Sequence, residues 1–296
     1  MPLSFTKVGV IGLATSPRIG DTLKRLGILL GKLGCYAYLD ERARRADLCQ
    51  DFQIVSREQL GRECELLIVV GGDGTLLDTA RTMLNYEIPM VGINLGRIGF
   101  LVDVSPLEME QTLTSILQGE YLEDTRVLLE ACVTSNNETV FTAQALNDVV
   151  VHKVNVARMI EFEVYINGRF VYTQRSDGLI IATPTGSTAY SLSGGGPILH
   201  PSLAALTLVP ICPHTLSNRP IVVGTDSEIE IRATRGRYEG IQISCDGQVN
   251  HKIQENDRVI IKVCPQPLRL LHPTNYDYYE ILRAKLNWAI HSYQRQ

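Results

Sequence analysis

The chain has 296 residues, 45% of them hydrophobic and 20% charged, which is enough for two domains whose cores need neither disulfides nor metals. The formal net charge of −4 gives no bulk attraction to nucleic acid or to an anionic membrane, so neither is expected as a partner. Seven cysteines without a Cys-x-x-Cys pair, and an N-terminus without a signal-peptide pattern, indicate reduced thiols and a cytoplasmic location.

Short apolar runs alternate with helical patterns over the first 120 residues. Ser16 is predicted as the N-cap of the first helix, and Gly34 stands where a C-terminal glycine belongs. Ser56 and Gln59 form a capping-box pair, and Ser105 opens a later helix. Strands are predicted at residues 7–13, 35–39, 66–70 and 90–93. This order predicts an α/β domain with a parallel sheet over residues 1–120.

The pattern changes near residue 121 to strands and turns. Asn167-Gly168 is a hairpin signal between alternating segments at residues 161–166 and 169–173. Residues 221–231 and 258–263 are also strand-like. The sequence therefore predicts an all-β domain over residues 121–272. Apolar residues from 278 to 289 share one helical face, so residues 273–296 are predicted as a C-terminal helix that packs back on the first domain.

A first candidate site is the run Gly71-Gly72-Asp73-Gly74-Thr75, where a buried strand ends and a helix begins. Ligands of open α/β sheets bind at that edge, and glycines let the backbone approach a phosphate at the helix N-terminus. The residues around Asp73 are therefore predicted to cradle a phosphate. Asp73 itself would orient an acceptor hydroxyl and take its proton, as a kinase requires. A tight turn without chemistry is the alternative.

A second candidate site follows the apolar strand at residues 179–182. Residues 183–197 form a long segment of small, hydroxyl-bearing and glycine residues, and long segments of this kind inside a compact domain are usually functional. Its hydroxyl and N–H groups can bind phosphates and ribose, and Tyr190 can stack on a base. The alternative is a flexible surface loop.

Three smaller groups add to these sites. Asn147-Asp148 suits an adenine edge or ribose hydroxyls, although it could instead cap a turn. Arg175 and Asp177 lead into the long segment, where a cation could meet phosphate. Asp246-Gly247-Gln248 follows a strand and, taken alone, is more often only a hairpin turn.

Common alternative motifs are absent from the sequence. It contains no Gly-x-x-x-x-Gly-Lys-Ser/Thr loop, no Gly-x-Gly-x-x-Gly fingerprint, no Gly-x-Ser-x-Gly elbow and no His-Glu-x-x-His. These absences disfavour a P-loop NTPase, a Rossmann dehydrogenase, a serine hydrolase and a zinc enzyme.

With these motifs in place, the sequence resembles the bacterial NAD kinases, and most closely their proteobacterial members. The Gly71-Gly72-Asp73-Gly74 turn is shared with diacylglycerol kinases and phosphofructokinases, so it indicates only that wider group. The segment from Ser176 to Pro197 is far more specific. Further matching segments are Pro213-His214-Thr215-Leu216-Ser217, Arg219-Pro220 and Asp246-Gly247-Gln248. The resemblance covers nearly the whole chain.

The resemblance implies an α/β N-terminal domain and an all-β C-terminal domain with NAD in the cleft between them. It implies ATP as phosphate donor with Mg²⁺ or Mn²⁺, and a homodimer or homotetramer. Because the sequence has no His/Cys cluster to hold a transition metal, no dedicated protein-built metal site is predicted. The reaction implied is transfer of the terminal phosphate of ATP to the 2′-hydroxyl of the adenosine ribose of NAD, which gives NADP.

Site residues follow by matching motif. Asp73 is the implied catalytic base, and the phosphate cradle consists of Gly71, Gly72, Gly74 and Thr75. The implied NAD-binding residues are Asp73, Gly74, Asn147, Asp148, Arg158, Arg175, Asp177, Thr188, Ala189, Tyr190, Ser191, Leu192, Ser193 and Gln248. Most family members carry Glu where this chain has Asp148, whose side chain is one methylene shorter but keeps the charge and both acceptor oxygens.

Two other functions are weighed against this one. A related lipid kinase of the diacylglycerol type would need an apolar entry surface, whereas the long segment suits a polar ligand. A non-catalytic NAD-binding regulator could tolerate loss of the Asp73 carboxylate, and its presence favours catalysis.

Overall fold

The computed structural model describes residues 2–12, 17–43, 50–96, 99–154, 159–215, 217–233, 240–254 and 256–288. The chain divides into two compact units, the first made of residues 1–124 and 269–296, the second of residues 125–268. The six described cysteines are free thiols. Within the described ranges, no helix is both long enough and apolar enough to cross a membrane.

Strands and helices alternate at the start of the chain. In chain order they are β1 (Lys7–Gly12), α1 (Pro17–Leu33), β2 (Tyr36–Asp40), β3 (Gln53–Val55), α2 (Arg57–Glu63), β4 (Leu66–Gly71), α3 (Asp73–Met83), β5 (Met90–Asn94), α4 (Met109–Leu117) and β6 (Leu122–Arg126). Ser56 caps α2 by accepting the Gln59 N–H at 3.3 Å, and Gly34 takes a φ of 78° after α1. Ser16 and its predicted cap lie outside the described residues.

The prediction that a helix opens at Ser105 is wrong by one turn, since α4 begins at Met109. The Ser105 hydroxyl accepts the Leu107 N–H at 3.2 Å, and the Glu108 N–H donates to the Ser105 carbonyl. Ser105 therefore closes a separate turn before the helix, because a serine side chain can satisfy a turn as readily as a helix N-terminus.

The rest of the chain is mainly strand. Its elements are β7 (Leu129–Ser135), β8 (Glu138–Ala145), β9 (Asp148–Lys153), β10 (Ile160–Ile166), β11 (Arg169–Ser176), β12 (Gly178–Ala182), α5 (Tyr190–Ser193), β13 (Ala205–Ile211), β14 (Ile221–Gly224), β15 (Ile229–Ala233), β16 (Ile241–Cys245), β17 (Val249–Ile253), β18 (Arg258–Val263), β19 (Leu268–His272) and α6 (Tyr278–Leu286). Asn167 and Gly168 both take positive φ in the β10–β11 hairpin. Ala289 lies outside the described residues.

The first unit contains a seven-stranded sheet of order β3-β2-β1-β4-β5-β19-β6, in which β3 to β19 pair in parallel. Every residue of β4 is buried, as its continuous apolar sequence predicts. The leucines of α1 pack on this sheet together with Met109 and Leu113 of α4. The carboxyl ends of β4 and β5 therefore lie side by side at one edge of the sheet.

The second unit contains two antiparallel sheets of six strands. Their orders are β11-β10-β15-β18-β7-β8 and β14-β13-β12-β9-β16-β17. Apolar residues of both sheets join one buried cluster around Phe162, so the sheets form a sandwich. The opposite face of the second sheet carries a smaller cluster that includes Val150, Ile180 and Val209.

The sequence-based fold class, an α/β part with a parallel sheet followed by an all-β part, is confirmed. One segment was wrong in detail. Residues 221–231 are not a single strand, because β14 and β15 belong to different sheets and residues 225–228 turn between them. Asp226 and Ser227 in this turn are polar residues that favour a change of direction over a continued strand.

Candidate active site

The first candidate site lies where β4 ends and α3 begins. Gly72 is the N-cap of α3 and Asp73 is its first residue, so the carboxylate stands at the positive end of the helix dipole. A side chain at Gly71 would clash with Thr75, whereas a Cβ at Gly72 would meet nothing within 4 Å. The backbone at Gly72 is therefore open to close approach by a ligand.

Asp73 is held by a turn that the sequence did not assign to the site. Its carboxylate accepts the backbone N–H groups of Phe100, Leu101 and Val102, at N···O distances of 3.0, 3.2 and 3.3 Å. A carboxylate offers about four acceptor positions, so these three bonds fix its orientation and leave room for one further donor such as a hydroxyl. A side chain at Gly99 would clash with this carboxylate.

The second candidate site is a cavity of about 460 Å³ on the β9–β16 side of the second unit. Five of the predicted residues line it: Asn147, Asp148, Asp177, Ala189 and Tyr190. Tyr190 is 48% exposed, so its ring is available at the cavity wall. The volume is within the range of small-molecule sites.

Asp246 shapes this cavity by binding the chain at the start of β9. It takes a φ of 52° in the β16–β17 turn, and its carboxylate accepts the N–H groups of Leu146, Asn147 and Asp148 at 3.0, 2.8 and 3.3 Å. The Asp246 N–H donates in return to the Asp148 carbonyl. The hairpin turn expected from the sequence is present, and it also positions the Asn147-Asp148 pair.

Asp148 carries a buried carboxylate to which no donor bonds among the described residues. It is 5% exposed, and burial together with the nearby Asp246 raises its pKa from 3.8 to about 7. Asp148 lines the cavity, where a ligand or water can supply the hydrogen-bond donors that the described residues do not. Asp148 is therefore suited to receive the hydroxyl groups of a polar ligand that enters the cavity.

The hydroxyl-rich segment at residues 183–197 is folded, with a 3₁₀ turn at Gly186–Thr188 followed by α5. Its alternative description as a flexible surface loop is wrong, since residues 183–187 are buried. The Thr183 hydroxyl donates to the Leu146 carbonyl at 2.6 Å, and that of Ser187 donates to Pro184 at 2.6 Å. These two hydroxyls stabilise the segment, and neither residue belongs to the predicted NAD-binding set.

Close packing fixes this segment against Asn147. A side chain at Gly186 would overlap the Asn147 carbonyl. The Thr183 N–H donates to the same carbonyl at 2.9 Å, and the Thr188 hydroxyl donates to Thr185 at 3.1 Å. The segment thus holds the Asn147 carbonyl, while Asp246 holds the N–H groups of both Asn147 and Asp148.

A salt bridge closes another side of the cavity. Lys153 Nζ lies 2.7 Å from the Asp177 carboxylate, and the Lys153 N–H donates to the Asp177 carbonyl. Arg175 is exposed, and its carbonyl accepts the His214 N–H. Lys153 reduces the negative charge that the cavity aspartates would otherwise present to a phosphate-bearing ligand.

The remaining predicted residues are placed as follows. Asp73, Gly74 and the other cradle residues belong to the first unit, whereas the residues that line the cavity belong to the second. The predicted residues of the second unit that do not line the cavity are Arg175, Thr188, Ser191, Leu192, Ser193 and Gln248. Arg158 lies outside the described residues.

Five lining residues were missed: Val150, His152, Lys153, Ile211 and Ser244. Asp246 and Gly247 also line the cavity; the sequence singled out their motif but named only Gln248 of it as NAD-binding. A signal for two of them was present, because alternate residues of a strand share a face and β9 starts at Asp148. Val150 and His152 follow from that period of two. Ser244 and Ile211 depend on strand pairing, which the sequence does not reveal.

Comparison with known proteins gives the same architecture. The family models described as ATP-NAD kinase N-terminal domain and ATP-NAD kinase C-terminal domain match residues 26–121 and 146–273. A NAD kinase of Chromohalobacter salexigens is 48% identical over 96% of this chain and 97% of its own length. One from Pseudoalteromonas translucida is 45% identical over 99% of this chain and 100% of its own.

Solved structures show the same fold. A NAD kinase from Archaeoglobus fulgidus in complex with ATP matches with a TM-score of 0.71 and 25% identity, over 95% of this chain and 98% of that one. Yeast NADH kinase complexed with NADH matches in fold with a TM-score of 0.88 at 23% identity, over 100% and 91% of the two chains. The fold is that of a kinase that works on nucleotides. The chain belongs to the ATP-NAD kinase family.

Proposed function

We propose that this protein transfers the terminal phosphate of ATP to the 2′-hydroxyl of the adenosine ribose of NAD, giving NADP and ADP. The observation that carries the proposal is the buried Asp148 carboxylate, which has no bonded donor among the described residues and faces a cavity beside Asn147 and Tyr190. A ribose diol supplies two neighbouring hydroxyl donors, which a carboxylate binds well. The match to NAD kinase relatives over nearly the whole chain supports the same substrate.

Asp73 is the proposed catalytic residue. In the reaction a bond forms between the ribose 2′-oxygen and the terminal phosphorus of ATP, and the bond from that phosphorus to the bridging oxygen of ADP breaks. The hydroxyl proton passes to the Asp73 carboxylate. Three backbone N–H donors already fix this carboxylate, so its remaining acceptor position can orient the hydroxyl before transfer.

The other predicted residues receive matching roles. The open backbone at Gly72, with Gly71, Gly74 and Thr75, would bind phosphate oxygens at the N-terminus of α3. Tyr190 would stack on a base and Asp177 would border the substrate, since both line the cavity. On the family resemblance alone, Arg158 and Arg175 are proposed to border the substrate as well. Residues 188–193 and Gln248 would complete the NAD site.

A divalent cation, Mg²⁺ or Mn²⁺, is proposed to enter as the complex with ATP. When bound, it neutralises charge on the phosphate oxygens. The described residues contain no group of three His, Cys, Asp or Glu side chains that could hold a metal ion. The chain's own residues fit a cation whose ligands are mostly phosphate oxygens and water.

The decisive test is an assay with purified protein, NAD, ATP and MgCl₂, in which NADP is read with an NADP-specific dehydrogenase. NADP should form in proportion to protein and should require both substrates. Failure to form NADP, with NAD bound but unchanged, would instead support a non-catalytic NAD-binding protein. Light scattering on the same sample tests the homodimer or homotetramer that the family resemblance implies.

A further inference from the structure

A buried histidine lies behind the turn that holds Asp73. His272, the last residue of β19, is 1% exposed, and its Nδ1 lies 2.8 Å from the carboxylate of Asp103. Because an ionised carboxylate only accepts hydrogen bonds, Nδ1 is the donor of this pair. The imidazole ring stacks on Tyr276 with centroids 3.9 Å apart, so its orientation is fixed from two directions.

Asp103 directly follows the three residues that bind Asp73. The Val102 N–H bonds the Asp73 carboxylate, and the Val102 carbonyl accepts both the Gly99 N–H at 3.1 Å and the Asn94 side-chain amide at 3.2 Å. The next residue, Val104, pairs with Ile93 at the end of β5. The segment from 99 to 104, called here the Asp73-binding turn, therefore has anchors on both sides of its N–H donors.

The pair's unusual feature is its incomplete hydrogen bonding. Asp103 Oδ1 and His272 Nε2 are buried atoms without a hydrogen-bond partner in the described structure. The nearest carboxylate on the Nε2 side, that of Asp124, lies 3.9 Å away. Buried polar atoms without partners are costly, so a pair that served only to stabilise the fold would be better replaced by apolar residues. A role in setting the position of the turn accounts for a pair with so little net benefit to stability.

The geometry points to His272 as a positioning residue for Asp73, acting through Asp103 and the Asp73-binding turn. This inference rests on the proposed role of Asp73 in phosphoryl transfer. The Nδ1–H bond of His272 fixes the position of the Asp103 side chain. Asp103 in turn fixes the backbone of the turn, whose three N–H donors orient the Asp73 carboxylate. A displacement of about 1 Å at such a group can cost about a hundredfold in rate.

A matched pair of amide substitutions separates positioning from simple stabilisation. In His272→Asn the amide nitrogen occupies the place of Nδ1, so the bond to Asp103 can re-form. In His272→Gln the longer side chain places its amide near Nε2 instead. Both variants lose the imidazole ring and its stacking on Tyr276, so each controls for the packing loss of the other.

We expect His272→Gln to lower kcat about tenfold or more, with KM for NAD and for ATP nearly unchanged, and His272→Asn to stay within about threefold of the parent protein. In the double variant Asp73→Asn/His272→Gln the two losses should not multiply, because both act on one carboxylate. Equal kcat in the Asn and Gln variants, or multiplying losses, would overturn the proposal.

Hydrogen exchange gives a readout that does not need activity. The amides of residues 100–102 should exchange faster in His272→Gln than in His272→Asn, while the amides of β4 stay protected in both. Unchanged exchange in the turn would overturn the inference. If the parent protein makes no NADP but the exchange contrast is present, the proposed function falls and the structural link from His272 to the turn stands.

Discussion

Two aspartates of this protein fix short backbone segments in the same way. Asp73 accepts three consecutive N–H groups at residues 100–102, and Asp246 accepts three at residues 146–148. In each case one carboxylate replaces several backbone partners and fixes a short segment at a strand end. The two differ in consequence. Asp73 is itself the proposed reacting group, whereas Asp246 positions its neighbour Asp148.

Replacement of Asp73 by Asn tests the proposed base. The amide keeps the size of the side chain, but it cannot take the hydroxyl proton and it presents an N–H₂ group to the donors of the turn. We expect kcat to fall roughly 10²- to 10⁴-fold, with NAD affinity changed much less. Rapid-quench or coupled kinetics, together with calorimetric NAD titration, measures both quantities. Near-normal turnover would show that Asp73 only shapes the turn.

The raised pKa of Asp148 predicts that the stability of the unliganded protein depends on pH. Its pKa is raised to about 7 in the folded state, so the folded state binds more protons than the unfolded state between about pH 4 and pH 7. The contribution of Asp148 to the free energy of unfolding is therefore fully present below about pH 4 and is lost as the pH rises through 7. Between pH 5 and pH 8 the loss is about 2–3 kcal/mol. Asp148→Asn should remove it, and melting curves at both pH values measure the difference.

The same variant separates stability from ligand binding. At pH 8 the Asn variant should melt at a higher temperature than the parent protein and yet bind NAD about tenfold or more weakly, since a charge-assisted bond of about 1.5–3 kcal/mol is lost. At pH 5, where Asp148 is protonated, the two proteins should differ little in melting temperature. An Asn variant with unchanged NAD affinity would remove Asp148 from the substrate site.

At the scale of elements, periodicity predicted most strands and helices, because a strand buried on one face alternates and one buried on both faces is continuously apolar. β10 alternates in this way, and β4 is continuously apolar. Strands β7, β8, β9 and β13 were not individually predicted. Other departures are places where polar side chains bond locally to the backbone. Ser105 formed a turn before its predicted helix, and the hydroxyls of residues 183–188 folded a segment whose composition suggested a loop.

The β4–α3 turn allows a test of the phosphate cradle that leaves the fold intact. A Cβ at Gly72 would meet nothing within 4 Å, and Gly72 has a φ of −113°, which any residue can adopt. Gly72→Ala should therefore leave the melting temperature unchanged. If phosphate oxygens approach this backbone, the added methyl should raise KM for ATP about tenfold or more.

Gly31→Ala is the matched control for this substitution. Gly31 lies on an exposed part of α1, and a Cβ there also meets nothing within 4 Å. The change should raise stability by about 1 kcal/mol through helix propensity, without effect on either KM. If Gly72→Ala, like this control, leaves KM for ATP unchanged, the turn does not contact phosphate.

At the scale of the molecule, both candidate sites join residues that are far apart in the sequence. Asp246 meets residues 146–148 because β9 pairs with β16, and the Asp73-binding turn stands beside α3 because β4 pairs with β5. Motifs identified Asp73 and the Asn147-Asp148 pair, since each lies within a short segment. Their partners could not be predicted in the same way, because strand order and register are set by the packing of whole sheets.

The whole protein should depend on a divalent cation without retaining one. The Asp73 carboxylate already accepts three N–H donors, and the described residues provide no three-ligand cluster of His, Cys, Asp or Glu. Mg²⁺ is commonly bound through one or two carboxylates, waters and substrate phosphates, so ATP should carry it to the site.

After EDTA treatment and desalting, elemental analysis should find no bound metal and the melting temperature should be unchanged. NADP formation should then be absent until MgCl₂ is added, which should restore it fully. Turnover that persists in excess EDTA, or a protein that unfolds when chelated, would show a resident metal and contradict this prediction.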